Sequence, residues 1–234
     1  HGADRMSINP QTMEDAVLRA CGRPHKASDV VRAYREAVDA GFAAINMDLI
    51  AALPGETPEI FRQSLEKTMS LAPESITVHS LAIKRSSKLH EMMHVSGSGH
   101  TQVSAEGAAE MIAYARRTLF ENGWHPYYLY RQKYMAGNME NVGYAKAGKA
   151  CLYNIGNMEE TASVLALGAG AISKWLFDRE IHSAARGCDV ESVKFANLQL
   201  RIERAPNVRN IQQYIERVEE MVERKRALIF PEVV

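Results

Sequence analysis

The sequence predicts an α/β protein: parallel strands alternating with helices, followed by a segment of α+β texture. Three observations carry this. Strand-like runs at "RMSINPQ", "FAAINMDLIAAL" and "SITVHSLAI" are separated by helical patterns. Their centres lie roughly 30–40 residues apart, the spacing of βαβ units in a parallel sheet or barrel. The middle run has one apolar face, Ile45, Met47 and Leu49, and one mixed face, Asn46, Asp48 and Ile50. A barrel strand has this character, apolar outward against helices and mixed inward around a ligand. After Gly123 the periodicity stops and an aromatic, Asn- and Gly-bearing stretch begins, "WHPYYLYRQKYMAGNMENVGYAKAG".

In the first strand, Arg5, Ser7, Asn9 and Gln11 share one face and Met6 and Ile8 the other. A helical pattern follows from Thr12 to about Ala20 and breaks near Gly22. Ser28 is the expected cap of the next helix, which carries Val31, Tyr34, Arg35 and Val38 and closes at Gly41. Thr57 caps a helix with Pro58 at its first position, where a missing N–H costs nothing. Phe61, Leu65 and Met69 face inward there, and the helix stops before Pro73. In the third strand, alternation leaves open whether Thr77 and His79 or Ser80 and Ala82 form the inner set. "RSSKLHEMMHVSGSGH" reads as a polar, mobile segment. Ser104 opens a long helix with Met111, Ala115 and Leu119 on one face, closed by Gly123. "SVLALGAGAIS" reads as a further strand and the remainder as helical, with Ile211, Ile215, Val218 and Val222 as an apolar stripe. The expected domains are 1–100 and 101–234.

Lys plus Arg and Asp plus Glu balance at 28 each, so no general affinity for nucleic acid or an anionic membrane is expected. No apolar run reaches the about 18 residues of a membrane span. Three scattered cysteines, Cys21, Cys151 and Cys188, make neither a disulfide framework nor a structural zinc site, which suits a reducing cytoplasm. The abrupt start inside a strand suggests a chain cut from something longer.

Asp48 is the central puzzle, a carboxylate within an apolar run. Isolated burial would cost several kcal/mol or neutralise it. A pair of ligand hydroxyls would satisfy it; so would a neighbouring helix N-terminus or an internal arginine. Arg23, beside Gly22 and Pro24, reads either as a carboxylate clamp or as a surface arginine. Arg131, Lys133, Asn138 and Asn141 among tyrosines suit a flat, carboxylated ligand, or simply a β-hairpin with ordinary turn residues. "LGAGAIS" lacks the spacing of a phosphate loop, and Gly168 and Gly170 are read as sites of close backbone packing. His79, His90, His94 and His100 match no metal-ligand spacing and are read as surface histidines.

The motifs "SINPQTM", "GRPH", "NMDLIAALPGET", "SLAIKRSSKL", "YYLYRQKYMAGNMENVGYA" and "LGAGAISK", in this order, resemble the oxygen-independent coproporphyrinogen III oxidase (coproporphyrinogen dehydrogenase) family of radical S-adenosylmethionine (SAM) proteins. The resemblance implies a partial radical-SAM (β/α)6 barrel, represented here by its last three βα units and an α+β C-terminal domain. It implies SAM bound at a [4Fe–4S] cluster held by C-x3-C-x2-C. A 5′-deoxyadenosyl radical would then drive anaerobic decarboxylation of a porphyrinogen in haem biosynthesis. The sequence contains no C-x3-C-x2-C, so the cluster-binding half is expected elsewhere and this chain alone is expected to be inactive. By motif match, Gln11 and Asp48 are expected near the ribose of SAM, Arg23 near its methionine carboxylate, and Ile50 and Ala82 beside adenine. That match places Ser80 inward and His79 outward. Arg131, Asn138, Asn141 and Tyr144 are expected near the substrate cleft. Self-association through the open half-barrel is expected, and the alternative function is haem delivery without oxidase activity.

Overall fold

The structure, a computed structural model, describes residues 2–81, 103–131, 139–177 and 201–230. It divides into two compact units, His1–Cys151 and Leu152–Val234. In the first unit β1 (Arg5–Gln11), α1 (Asp15–Ala20), α2 (Ala27–Asp39), β2 (Ala44–Ala51), α3 (Pro58–Ser70) and β3 (Ser75–Ser80) alternate. Then α4 (Ala105–Glu121) leads into β4 (His125–Tyr130) and β5 (Asn141–Ala145). The sheet runs β1-β2-β3-β5-β4. Its first three strands are parallel, and β5 is antiparallel to both β3 and β4. This is the α/β class expected, with parallel βα units and no closed barrel among the described residues. The first unit extends beyond residue 100 for a physical reason. The α4 residues Met111, Ala115 and Leu119 share one apolar cluster with Leu49, Leu65, Ile76 and Val78, while β5 hydrogen-bonds directly to β3.

Local chemistry explains most boundaries. Thr57 Oγ1 accepts from the Ile60 N–H and Pro58 occupies the first helical turn, so α3 begins where expected. Ser104 does the same for α4 through the Gly107 N–H, and Gly123 closes that helix at φ +88°. The start of α2 differs from the expectation. Lys26, not Ser28, is the N-cap: the Asp29 carboxylate accepts from the Lys26 N–H at 3.0 Å, and Asp15 Oδ1 accepts from the Ala27 N–H at 2.8 Å. Two carboxylates thus satisfy the Lys26 and Ala27 donors, so the helix is capped two residues before Ser28. The buried stripe of α2 shifts accordingly to Val30, Tyr34 and Ala37, leaving Val38 exposed. α1 begins at Asp15 rather than Thr12, because Thr12 is buried and hydrogen-bonded to Ser64 Oγ at 3.0 Å.

The apolar face of β2 splits between two clusters. Ile45 and Met47 pack with Met13, Val30, Tyr34 and Ala37, while Leu49 and Ala51 pack with α3 and α4. Burying each such side chain fully stabilises the fold by about 1.5–3 kcal/mol.

The second unit holds α5 (Leu152–Met158), β6 (Ile172–Phe177), β7 (Arg201–Pro206), α6 (Ile211–Glu216) and α7 (Val218–Ile229), with β6 and β7 antiparallel. Three expectations are corrected here. The strand is Ile172–Phe177, not the glycine-bearing run before it. The remainder is not all helical, since β7 intervenes. The buried face of the terminal helices is Met221, Lys225 and Leu228, whereas Ile211, Ile215, Val218 and Val222 are exposed. Lys225 is buried because its ammonium donates to Asn207 Oδ1 at 2.7 Å and Met221 O at 3.2 Å. Periodicity found a stripe, but a hydrogen-bonded lysine took the inner side. Among the described residues no helix is long and apolar enough to cross a membrane.

Candidate functional site

The polar residues of β2 open onto one face of the sheet. Ile45, Met47 and Leu49 are buried, and Asn46, Asp48 and Ile50 are partly exposed on the opposite side, as alternation predicted. Asp48 lies beside Thr77 and Ile50 beside His79 in the β2–β3 register. In a parallel pair, laterally matched residues project to the same side. Thr77 and His79 therefore share the face of Asp48, which corrects the choice of Ser80 inward and His79 outward. Ser80 is buried, and its backbone N–H donates to Asn141 Oδ1 at 2.9 Å.

Asn46 is the hub of this face. Its Nδ2 donates to Asp48 Oδ1 at 2.6 Å and lies 3.5 Å from Ser7 Oγ, while its Oδ1 accepts from Thr77 Oγ1 at 3.2 Å. Thr77 spends its hydroxyl proton on Asn46, so the Tyr128 hydroxyl, 3.4 Å away, is the donor in their contact. Asp48 Oδ2 faces His79 Nε2 at 3.7 Å, and the Tyr130 hydroxyl lies 3.3 Å from His79 Nδ1. Among the described residues, the partners of Asp48 are thus an amide and an imidazole, not an arginine or a helix N-terminus. A carboxylate has about four lone-pair sites; Asn46 takes one, which leaves acceptor capacity toward the open side.

Tyr128 and Tyr130 alternate along β4 and stack, with ring centroids 6.3 Å apart and planes 4° from parallel. Both lean across β5 toward β3. They can do so because β5 has a glycine beneath them: a Cβ at Gly143 would lie 1.8 Å from Tyr128 Cε1. Burial pushes the Tyr128 phenol up to about 12, opposed in part by the Thr77 hydroxyl, and the nearby Tyr127, Asp48 and Tyr130 charges add to the rise.

At the strand ends, Gln11 pairs with Leu49 after an irregularity between Ile8 and Gln11 and adopts φ +67°. That left-handed backbone turns the chain into the loop before α1. Gln11 Nε2 donates to Asn9 O at 3.4 Å. Thr12 and the Met13 N–H both engage Ser64 Oγ, tying this loop to α3. Arg23 is exposed in the loop after α1, where its N–H donates to Leu18 O. Ala82 and Asn138 lie outside the described residues, as do His90, His94, His100 and Cys188.

The structure brings Asp48 and Ile50 onto one face, with Gln11 at the adjacent strand end. Asn141, beside Tyr130 in the β4–β5 register, lies along the same face, whereas Arg131 and Tyr144 are set apart from it. Arg131 is exposed and paired with Glu140 at 3.1 Å. With Tyr144 it lines a groove of about 400 Å³ that also includes Ile112 and Arg116 of α4. Tyr144 is only 2% exposed and belongs to the helix-side core, while Asn141 serves the Ser80 backbone.

Sequence reasoning passed over Glu56 entirely. This side chain is 4% exposed; its Oε2 accepts from the Leu53 N–H at 3.2 Å and its Oε1 has no hydrogen bond. Burial pushes its carboxyl up to about 8, against the Leu53 and Ala52 amides and the nearby Thr12 hydroxyl, which hold it down. "LPGET" concealed Glu56 as an ordinary turn residue. Tyr128 and Tyr130 did carry a signal, since their spacing of two puts them on one strand face.

The glycine loop of the second unit binds itself. The Gly168 N–H donates to the Tyr214 hydroxyl, the Gly170 N–H to Val208 O, and Gly168 O accepts from Asn207 Nδ2. Both glycines have positive φ, +98° and +73°. Neither has a contact as tight as close backbone packing would require, so left-handed turn geometry is the reason for these glycines. Among the described residues no group of three His, Cys, Asp or Glu is placed to hold a metal ion. With no C-x3-C-x2-C in the sequence, this chain does not fit an iron–sulfur cluster. The free acceptor sites of Asp48 do fit a vicinal diol.

This face lies in a region similar to a known class. The radical SAM superfamily model matches residues 1–68, which contain β1, α1, α2, β2 and most of α3. Within that class the chain is similar to the oxygen-independent coproporphyrinogen III oxidase family, the resemblance its motifs carry. The oxygen-independent coproporphyrinogen-III oxidase-like protein HemZ of Bacillus subtilis is 43% identical over 177 residues, covering 76% of this chain and 34% of that protein. The heme chaperone HemW of Bacillus subtilis is 30% identical over 170 residues, covering 73% and 41%. The solved structure of coproporphyrinogen III oxidase (HemN) from Escherichia coli shares the fold, with a TM-score of 0.62 at 17% identity, over 94% of this chain and 44% of that one. The chain thus spans between 34% and 44% of the length of these relatives.

Proposed function

We propose that this chain forms the nucleoside-facing part of a SAM site in a protein that oxidatively decarboxylates coproporphyrinogen III to protoporphyrinogen IX without oxygen. The observation that carries the reading is Asp48, held by Asn46 on a partly open sheet face with acceptor capacity to spare. Asp48 accepts from the ribose hydroxyls and Ile50 packs beside the base. Gln11 approaches the ribose from the end of β1, and Arg23 takes the methionine carboxylate. SAM, when bound, supplies the radical chemistry; these residues bind and orient it. The chain has no ligand set for a cluster, so catalysis is not expected from it alone. The likeness to HemZ supports the oxidase reading.

Asp48→Asn in the intact protein is expected to weaken SAM binding at least about tenfold, the scale of hydrogen bonds lost from a charged acceptor. Calorimetric titration checks this, and unchanged affinity with an intact fold removes Asp48 from the site. The second reading is haem delivery, favoured by the 30% identity to HemW. It predicts stoichiometric haem binding and no anaerobic conversion of coproporphyrinogen in the presence of SAM and a reductant.

A further inference from the structure

The same face carries a second group aimed at the place where Asp48 meets its ligand. His79 sits on β3 beside Ile50 in register and two residues along from Thr77, the partner of Asp48. Its Nε2 is 3.7 Å from Asp48 Oδ2. That separation is too long for a direct hydrogen bond. A hydroxyl oxygen about 2.8 Å from both atoms spans it as the apex of a triangle. Such a hydroxyl donates its proton to the carboxylate and accepts one from the imidazole.

The ring's proton must be on Nε2 for this, and both neighbours select that tautomer. Asp48 Oδ2 would repel a lone pair on Nε2. On the other side, the Tyr130 hydroxyl at 3.3 Å can donate to Nδ1, which leaves the N–H on Nε2. The Tyr130 ring meets the imidazole edge-on at 6.3 Å and 69°, and it stacks on Tyr128. The ring that sets the tautomer is therefore itself held in place.

We propose that His79 is a hydroxyl-reading residue, donating through Nε2 to the same ligand hydroxyl that Asp48 accepts from, with Tyr130 as its positioning residue. The ligand class is a nucleoside with an intact ribose diol. This rests on the reading of Asp48 as a ribose acceptor. A site built to engage a hydroxyl on both its proton and its lone pair rejects the deoxy analogue strongly, because two polar groups are then left unpaired.

The test compares SAM with its 2′-deoxy and 3′-deoxy analogues by calorimetry on the intact protein, together with ¹⁵N spectroscopy of the His79 ring without ligand. The wild type should prefer SAM over one analogue by roughly 100-fold, and His79→Phe should reduce that preference to about tenfold. His79→Gln, whose amide N–H reaches toward the same point, should retain more of the preference than His79→Phe. The ring of the wild type should be the Nε2–H tautomer, and Tyr130→Phe should mix the tautomers. A wild-type preference that survives unchanged in His79→Phe overturns the proposal while leaving Asp48 in its role. Equal losses in the Gln and Phe variants overturn it too, since ring packing rather than the donor would be the cause. A wild type that does not discriminate the analogues at all overturns the reading of Asp48 beneath it. An Nδ1–H tautomer in the wild type overturns the role of Tyr130 and His79 even if neither variant folds.

Discussion

Stability of this fold is expected to fall by roughly 4 kcal/mol as pH rises from 4.5 to about 8, because of Glu56 alone. Its carboxyl moves from an ordinary 4.5 to about 8 in the folded chain. Between those values the folded state holds a proton that the unfolded state has released. Stability therefore declines with rising pH across that window and levels off above it, at about 1.4 kcal/mol for each unit of separation. The cause is geometric. The side chain is buried in the turn after β2 with one oxygen on the Leu53 N–H and the other unpaired. Ionisation there places charge where few donors can answer it. Among the described groups, the other resolved shifts act outside the window: Asp29, Glu106 and Glu220 are lowered, while Cys21, Arg217 and several tyrosines are raised. Glu56→Gln keeps an acceptor for Leu53 and removes the titration. It should flatten the profile between pH 5 and 8.5 and leave the variant more stable than wild type at the upper end. Urea unfolding at several pH values reads both; a flat wild-type profile refutes the assignment.

Gly143→Val is expected to cost about 3 kcal/mol, the upper part of the range for overpacking. The added Cβ would stand 1.8, 2.4 and 2.8 Å from three atoms of the Tyr128 ring. A free tyrosine would swing aside at little cost. This one contacts Thr77 through its hydroxyl and stacks on Tyr130, so moving it breaks both contacts and disturbs the neighbour of His79. The measurement is a double-mutant cycle. In a Tyr128→Ala background the Gly143→Val penalty should shrink by at least about 1 kcal/mol. Additive costs would show that the clash lies elsewhere.

Sheet and helices were legible because local rules agreed with one another. Alternation in "INMDLIA" placed Ile45, Met47 and Leu49 in the core and Asp48 opposite them. Thr57, Pro58, Ser104 and Gly123 marked helix ends through hydrogen bonds and backbone geometry that need no tertiary partner. Elements failed where a long-range partner intervened. Ser28 lost its capping role to the Asp29 and Asp15 carboxylates, and the terminal apolar stripe lost the interior to Lys225, whose acceptor Asn207 lies just past β7. The site was legible only in part. Asp48 stood out as a charge in an apolar run. Its neighbours Thr77, His79 and Tyr130 sit on other strands, and nothing along the chain sets the register between strands.

The sequence by itself determined the alternating βα order, the two faces of β2 and the likeness to a radical SAM family, because periods and motifs are written in nearest-neighbour chemistry. Only the tertiary structure decided that His79 faces Asp48, that the two tyrosines cross a glycine to reach β3, and that Glu56 is sealed from water. Each of these depends on the lateral pairing of strands and on what covers a side chain, and both are set by packing between segments far apart in the chain.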